Sequence, residues 1–185
     1  MPRLILLNGP PASGKSTIAS RLVAARPLAL NLDLDVLRGA LGAWLEHPHE
    51  SGLAARRLAI AMASTHLAAG CDVVVPQLLV RDTFIRELEA VADAAGAPFV
   101  EIALIVSRAE TFRGFVARSA LPETQSHRDA HDLVERSGGT DPVGALHDQL
   151  IEFLVTRPMV RRVDVIRGDV EASLRLVEAA IAAAP

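Results

Sequence analysis

Gly9-Pro10-Pro11-Ala12-Ser13-Gly14-Lys15-Ser16-Thr17 decides how this chain is read. The stretch has the form G-x-x-x-x-G-K-[ST], a loop whose inward-turned amides cradle the phosphates of a nucleotide. Before it comes an apolar, strand-like run, Leu4-Ile5-Leu6-Leu7-Asn8, and residues 16–25 after it can run as a helix. Strand, loop, lysine, hydroxyl and helix therefore stand in the order the motif requires. Lys15 is the sole lysine among nineteen basic residues, the others being arginine. The expected ligand is a nucleoside triphosphate, taken here as ATP, with residues 9–17 as its cradle. Lys15 would bring positive charge to the β and γ phosphates. Ser16 would give its hydroxyl to Mg²⁺, while Thr17 packs or caps.

A chain of 185 residues fits one domain with a substantial core. Half of the residues are apolar but only 3% are aromatic, which suits aliphatic helices on a buried sheet. The formal charge of -3 gives no support to binding a long nucleic acid. Cys71 is alone and makes no internal disulfide. The chain enters a strand almost at once, and no run reaches the roughly 20 apolar residues that span a bilayer. The expectation is a cytoplasmic protein with no membrane partner, a monomer or homodimer.

Working outward, strands are predicted over residues 3–8, 28–32, 72–75, 99–106 and 160–166. Helical stretches are predicted over residues 16–25, 35–45, 51–69, 83–95, 109–119, 129–135 and 170–183. A further helix, capped by Thr140 or Asp141, ends near Arg157-Pro158. Five strands separated by helices predict a three-layer α/β domain with a mainly parallel sheet.

The second strand leads into Asp33-Leu34-Asp35-Val36-Leu37-Arg38. In a parallel sheet that edge lies beside the end of the first strand, hence beside the phosphates. Asp35 is placed to accept a proton from an attacking hydroxyl or hold it in line. Arg38, one turn on, is a candidate for an anionic substrate group or the transferring phosphoryl. Asp33 is a candidate for metal-bound water. Helix capping competes for both acids, and one can cap while the other does chemistry.

Together, residues 9–17 and 33–38 resemble the small P-loop kinases that phosphorylate non-protein hydroxyls. That group includes polynucleotide 5′-kinase, chloramphenicol phosphotransferase, adenylylsulfate kinase and gluconate kinase. The resemblance implies a P-loop NTPase fold, with Asp35 as base or substrate anchor and Arg38 as a substrate ligand. Val73-Val74-Val75-Pro76-Gln77 with Arg81-Asp82 is also similar to tunicamycin-resistance-type P-loop proteins. Strand three ends in Pro76-Gln77 rather than an acid, so either Asp33 or Asp35 supplies the outer metal contact or Mg²⁺ arrives mainly with the nucleotide. Gln77 is then a candidate for hydrogen bonding to the acceptor.

In nucleoside-monophosphate-type kinases a helix–loop–helix lid carries arginines over the phosphates. The resemblance places such a lid at residues 109–135, with Arg113 and Arg118 on its first helix and Arg128 on the far side, towards the acceptor. Trp44 is a candidate to stack on a ring-bearing acceptor, or simply anchors a helix. Arg167 falls where related kinases place their adenine-contacting loop. The leading expectation is an ATP-dependent phosphotransferase acting on a small hydroxyl compound, such as an antibiotic or nucleoside-like metabolite. Its competitors are a ligand-sequestering resistance protein with slow ATP turnover and a nucleic-acid 5′-hydroxyl kinase.

Overall fold

The structure, a computed structural model, describes residues 1–120 and 141–184. Five parallel strands run at β1 (Leu4–Asn8), β2 (Leu30–Asn31), β3 (Val73–Pro76), β4 (Phe99–Ile105) and β5 (Arg161–Asp164). Their order across the sheet is β2-β3-β1-β4-β5. Leu4 pairs with Val73 on one side and Phe99 on the other, which makes β1 a central strand. Every residue of β1 is buried, as expected of a parallel strand covered on both faces.

Seven helices are described: α1 (Lys15–Ala24), α2 (Leu34–Gly39), α3 (Pro48–Ala68), α4 (Thr83–Ala94), α5 (Arg108–Ala120), α6 (Pro142–Val155) and α7 (Val170–Ala182). Successive β1 side chains point to opposite faces and divide the core in two. Leu4 and Leu6 pack with Ala59 and Ala63 of α3 and with Ile85 and Leu88 of α4. Ile5 and Leu7 pack with Ile18 and Leu22 of α1 and with Val177 and Ile181 of α7. A smaller cluster seats Leu150 and Leu154 of α6 on Ala103 of β4. The result is the three-layer α/β architecture of P-loop NTPases, as the sequence predicts. None of these helices is long and apolar enough to cross a membrane.

The core face of β4 also holds a charge. Glu101 is buried and receives Arg157 Nε at 3.0 Å and Nη2 at 2.6 Å, while the same Nη2 reaches Glu89 Oε1 at 2.7 Å. Desolvation pushes the Glu101 carboxyl up, and Arg157 opposes it.

Several expected boundaries move. Strand two shrinks to two residues because Leu28 takes a left-handed turn (φ 58°) and is 80% exposed; its carbonyl accepts from His66 Nε2. Helical spacing over residues 35–45 yields only the six-residue α2. The chain then turns through residues 41–46, with Ala43 at φ 51°. Helix α3 begins at Pro48, earlier than expected, because proline loses nothing at a first helical position. Asp141 is the cap of α6, accepting from Gly144 N at 2.8 Å, and Asp169 caps α7 through Ala172 N. The helix expected over residues 129–135, and Arg128 with it, lies outside the described residues.

Candidate active site

The site forms where β1, β2 and β3 end together. Residues 9–14 turn back on themselves, with Ser13 N donating to Pro10 O at 3.3 Å, and α1 starts from Gly14. Gly9 has no room for a side chain: a Cβ there would stand 2.7 Å from Ser13 Oγ and 3.2 Å from Leu104 O. Gly14 takes the left-handed conformation (φ 87°) open to glycine. Ala12 adopts φ 57° without that freedom, so the loop holds about 1 kcal/mol of backbone strain there.

Lys15 folds over this turn. Its Nζ donates to Gly9 O at 2.9 Å and Pro10 O at 2.8 Å, with Ser13 Oγ at 3.5 Å. The residue as a whole is half-buried, but its ammonium is deep in the loop. Its pKa falls from 10.5 to about 8, first through desolvation and then through Arg118; Asp35 and Asp33 pull the other way.

Asp33 caps and still has an oxygen facing the loop. Oδ1 caps α2 by accepting from Asp35 N at 2.9 Å, while Oδ2 receives Ser16 Oγ at 3.3 Å. A hydroxyl and a carboxylate side by side are hard oxygen donors of the kind Mg²⁺ accepts, directly or through water. Asp33 and Ser16 therefore fit the ion that a triphosphate would carry. Among the described residues no group of three or more His, Cys, Asp or Glu is arranged to hold a metal by itself.

Asp35, two residues on, is exposed. Even so, desolvation raises its pKa above the ordinary carboxylate value, and Asp33 adds to the rise. Lys15, Arg38 and Arg118 oppose it. Arg118 comes from α5, is half-buried, and lies over the ring of Phe115 with Cζ 5.5 Å from the centroid. Desolvation holds its guanidinium below the ordinary value, with Asp35 opposing, and its buried Nε has no acceptor among the described residues. Lys15, Asp33, Asp35 and Arg118 are thus within electrostatic reach of one another, although the last is over eighty residues from the others in sequence.

Other predicted residues are placed differently. Arg38 Nε donates to Ser51 Oγ at 3.1 Å, its Nη2 donates to Pro48 O, and its guanidinium lies 5.1 Å from the Trp44 ring centroid. Arg38 and Trp44 are therefore committed largely to each other and to the start of α3. Gln77 follows β3, and its buried Oε1 has no donor among the described residues. Arg113 is exposed on α5, beside Glu110 rather than Lys15 and Asp35. Arg167 Nη1 donates to Glu110 O at 2.8 Å, which ties the loop before α7 to the first turn of α5. Asn8 and Ser51 are not among the residues the motifs single out; a polar residue closing an otherwise apolar strand is the available signal for Asn8.

Residues 4–136 match the family model described as the AAA domain, and the chain belongs to that family. No curated protein sequence matches it. Among solved structures, a Chloroflexus aurantiacus protein described as a candidate kinase has a TM-score of 0.68 at 16% identity, covering 100% of this chain and 98% of its own. The APS kinase of Mycobacterium tuberculosis, solved with AMPPNP and APS, has a TM-score of 0.60 at 18% identity and covers 98% of both chains. The tunicamycin resistance protein of Deinococcus radiodurans has a TM-score of 0.59 at 15% identity, covering 97% of this chain and 96% of its own. At these identities the likeness is one of fold.

Proposed function

We propose that the protein is an ATP-dependent phosphotransferase acting on a hydroxyl of a small molecule, with antibiotics and nucleoside-like metabolites as the leading acceptors. One observation carries this reading: Asp35, an acid with a raised pKa, stands within electrostatic reach of the loop lysine and of Arg118. An aspartate of that kind is a stronger proton acceptor than an ordinary carboxylate. Two orphaned atoms fit the same scheme. Arg118 Nε needs an acceptor, which a phosphate oxygen supplies, and Gln77 Oε1 needs a donor, which a second N–H or O–H group of the acceptor molecule, other than the reacting hydroxyl, supplies.

In this scheme the loop amides and Lys15 hold the β and γ phosphates. Ser16 and Asp33 would hold Mg²⁺, which when bound would neutralise and orient the phosphate oxygens. Asp35 takes the proton of the acceptor hydroxyl as its oxygen bonds to the γ phosphorus and ADP leaves. Arg118 stabilises the charge of the transferring group, and a lid spanning residues 109–135 excludes water. Arg113 and Arg128 serve that lid, while Arg167 secures its first helix beside the nucleotide. Arg38 and Trp44 form the acceptor-side wall.

The test is transfer of labelled γ-phosphate from ATP to a panel of hydroxyl compounds, measured against hydrolysis in the same tubes. Phosphorylated product supports the reading, and its absence across the panel counts against it. The fold shared with a tunicamycin resistance protein keeps a second reading in view, a nucleotide-dependent protein that sequesters its ligand. Retention of a panel compound without phosphorylation would favour that second reading.

A further inference from the structure

Asn8 closes β1 and, unlike the four residues before it, is polar; it is fully buried. Both ends of its amide are engaged. Oδ1 accepts from Gly9 N at 2.9 Å and from Leu79 N at 3.0 Å, and Nδ2 donates to Leu79 O at 2.9 Å. Two N–H groups and one carbonyl face the side chain, so a single orientation of the amide satisfies all three. The consequences extend in two directions. Gly9 offers its carbonyl to Lys15 Nζ, so the residue that Asn8 fixes is also a seat of the ammonium. Leu79 lies two residues beyond Gln77, whose own N–H donates to Leu7 O at 3.1 Å. One side chain thus joins Gly9, the first residue of the phosphate loop, to Leu79 in the β3–α4 connection, 71 positions from Asn8.

We propose that Asn8 is a positioning residue that sets the Lys15 ammonium through Gly9 and couples the nucleotide loop to the Gln77 segment through Leu79. The inference rests on the reading of residues 9–17 as a triphosphate site. An asparagine that only closed buried backbone groups would influence unfolding but not the response of one side of the site to a ligand on the other.

The experiment uses the full chain and Mg·ATP as probe, with calorimetry for affinity and amide hydrogen exchange at Leu79 as the coupling readout. Asn8→Ala removes all three hydrogen bonds. Asn8→Asp keeps the shape and can accept from both N–H groups, but turns an oxygen towards the Leu79 carbonyl. In wild type, Mg·ATP should slow exchange at Leu79 as well as in the loop. In Asn8→Ala, at a temperature where circular dichroism shows it folded, Kd should rise about tenfold, the order expected for one misdirected hydrogen bond to a charged group. Slowing at Leu79 should be lost in both variants while slowing at Ser16 persists. If Asn8→Ala does not fold, Asn8→Asp decides the matter by the Leu79 readout. Wild-type protein that does not bind Mg·ATP would overturn the triphosphate reading, and this inference with it. Wild-type binding with variant affinities within twofold and Leu79 slowing retained would overturn the inference alone.

Discussion

Binding of a magnesium nucleotide above pH 8 should draw a proton from solvent onto Lys15. In the free protein the ammonium is desolvated and faces Arg118, so its pKa is about 8 rather than 10.5. A single phosphate charge at ~3 Å, with an effective dielectric constant of ~20, attracts an ammonium by about 5 kcal/mol. Each ~1.4 kcal/mol moves a pKa by one, so one such contact returns Lys15 above 10. The direction follows directly: below pH 7 Lys15 is already charged and binding takes up almost nothing from it. At pH 8 about half of the molecules have a neutral Lys15, and at pH 9 about nine tenths, so uptake rises from about 0.5 to about 0.9 proton per nucleotide. Calorimetry at fixed pH in buffers of different ionisation enthalpy measures this number as a slope. Lys15→Met should bind weakly and show no slope at pH 8 or 9. Wild-type heats independent of buffer at both pH values would refute the placement of Lys15 against a polyphosphate.

Two further outcomes test the surroundings of the site. Trp44 is the only tryptophan and tyrosine is absent, so intrinsic emission reports the ring that Arg38 covers. Ser51→Ala should release Arg38 Nε, raise acrylamide quenching of Trp44 and cost about 1 kcal/mol in urea unfolding; unchanged quenching would show that Ser51 does not hold the pair. Arg157→Ala leaves Glu101 buried and unpaired and should cost about 3 kcal/mol at pH 7 while sparing Mg·ATP affinity. A loss under 1 kcal/mol would contradict the reading of Glu101 as a dependent charge.

How far the sequence reaches differs between elements. Residues 4–17 are legible because a buried parallel strand and a phosphate loop leave few residue types free, and Gly9 shows why: Ser13 Oγ and the Leu104 carbonyl occupy the space of a side chain. The acids after β2 are legible for the same local reason, since a cap and a strand end are short-range features. The division of labour within Asp33 is not, because it needs Ser16 at 3.3 Å from the second oxygen. Arg38 misleads for a similar reason. An arginine one turn from an acid looks free in one dimension, and only folding brings Ser51 and the Pro48 carbonyl to it. Helical spacing continued past residue 40, but α3 captures that segment through Ser51 Oγ, which donates to Trp44 O at 3.2 Å. Arg118 lies within the predicted lid, yet what brings it within electrostatic reach of Asp35 is the packing of α5, which periodicity does not encode.

The role of Asp35 is tested most directly by single-turnover transfer of γ-phosphate from Mg·ATP to a compound the wild-type protein phosphorylates, with Asp35→Asn compared at equal occupancy. Asparagine keeps the shape and cannot take the proton, so the transfer rate should fall at least about a hundredfold while nucleotide Kd stays within a few-fold. Transfer at the wild-type rate would contradict the account.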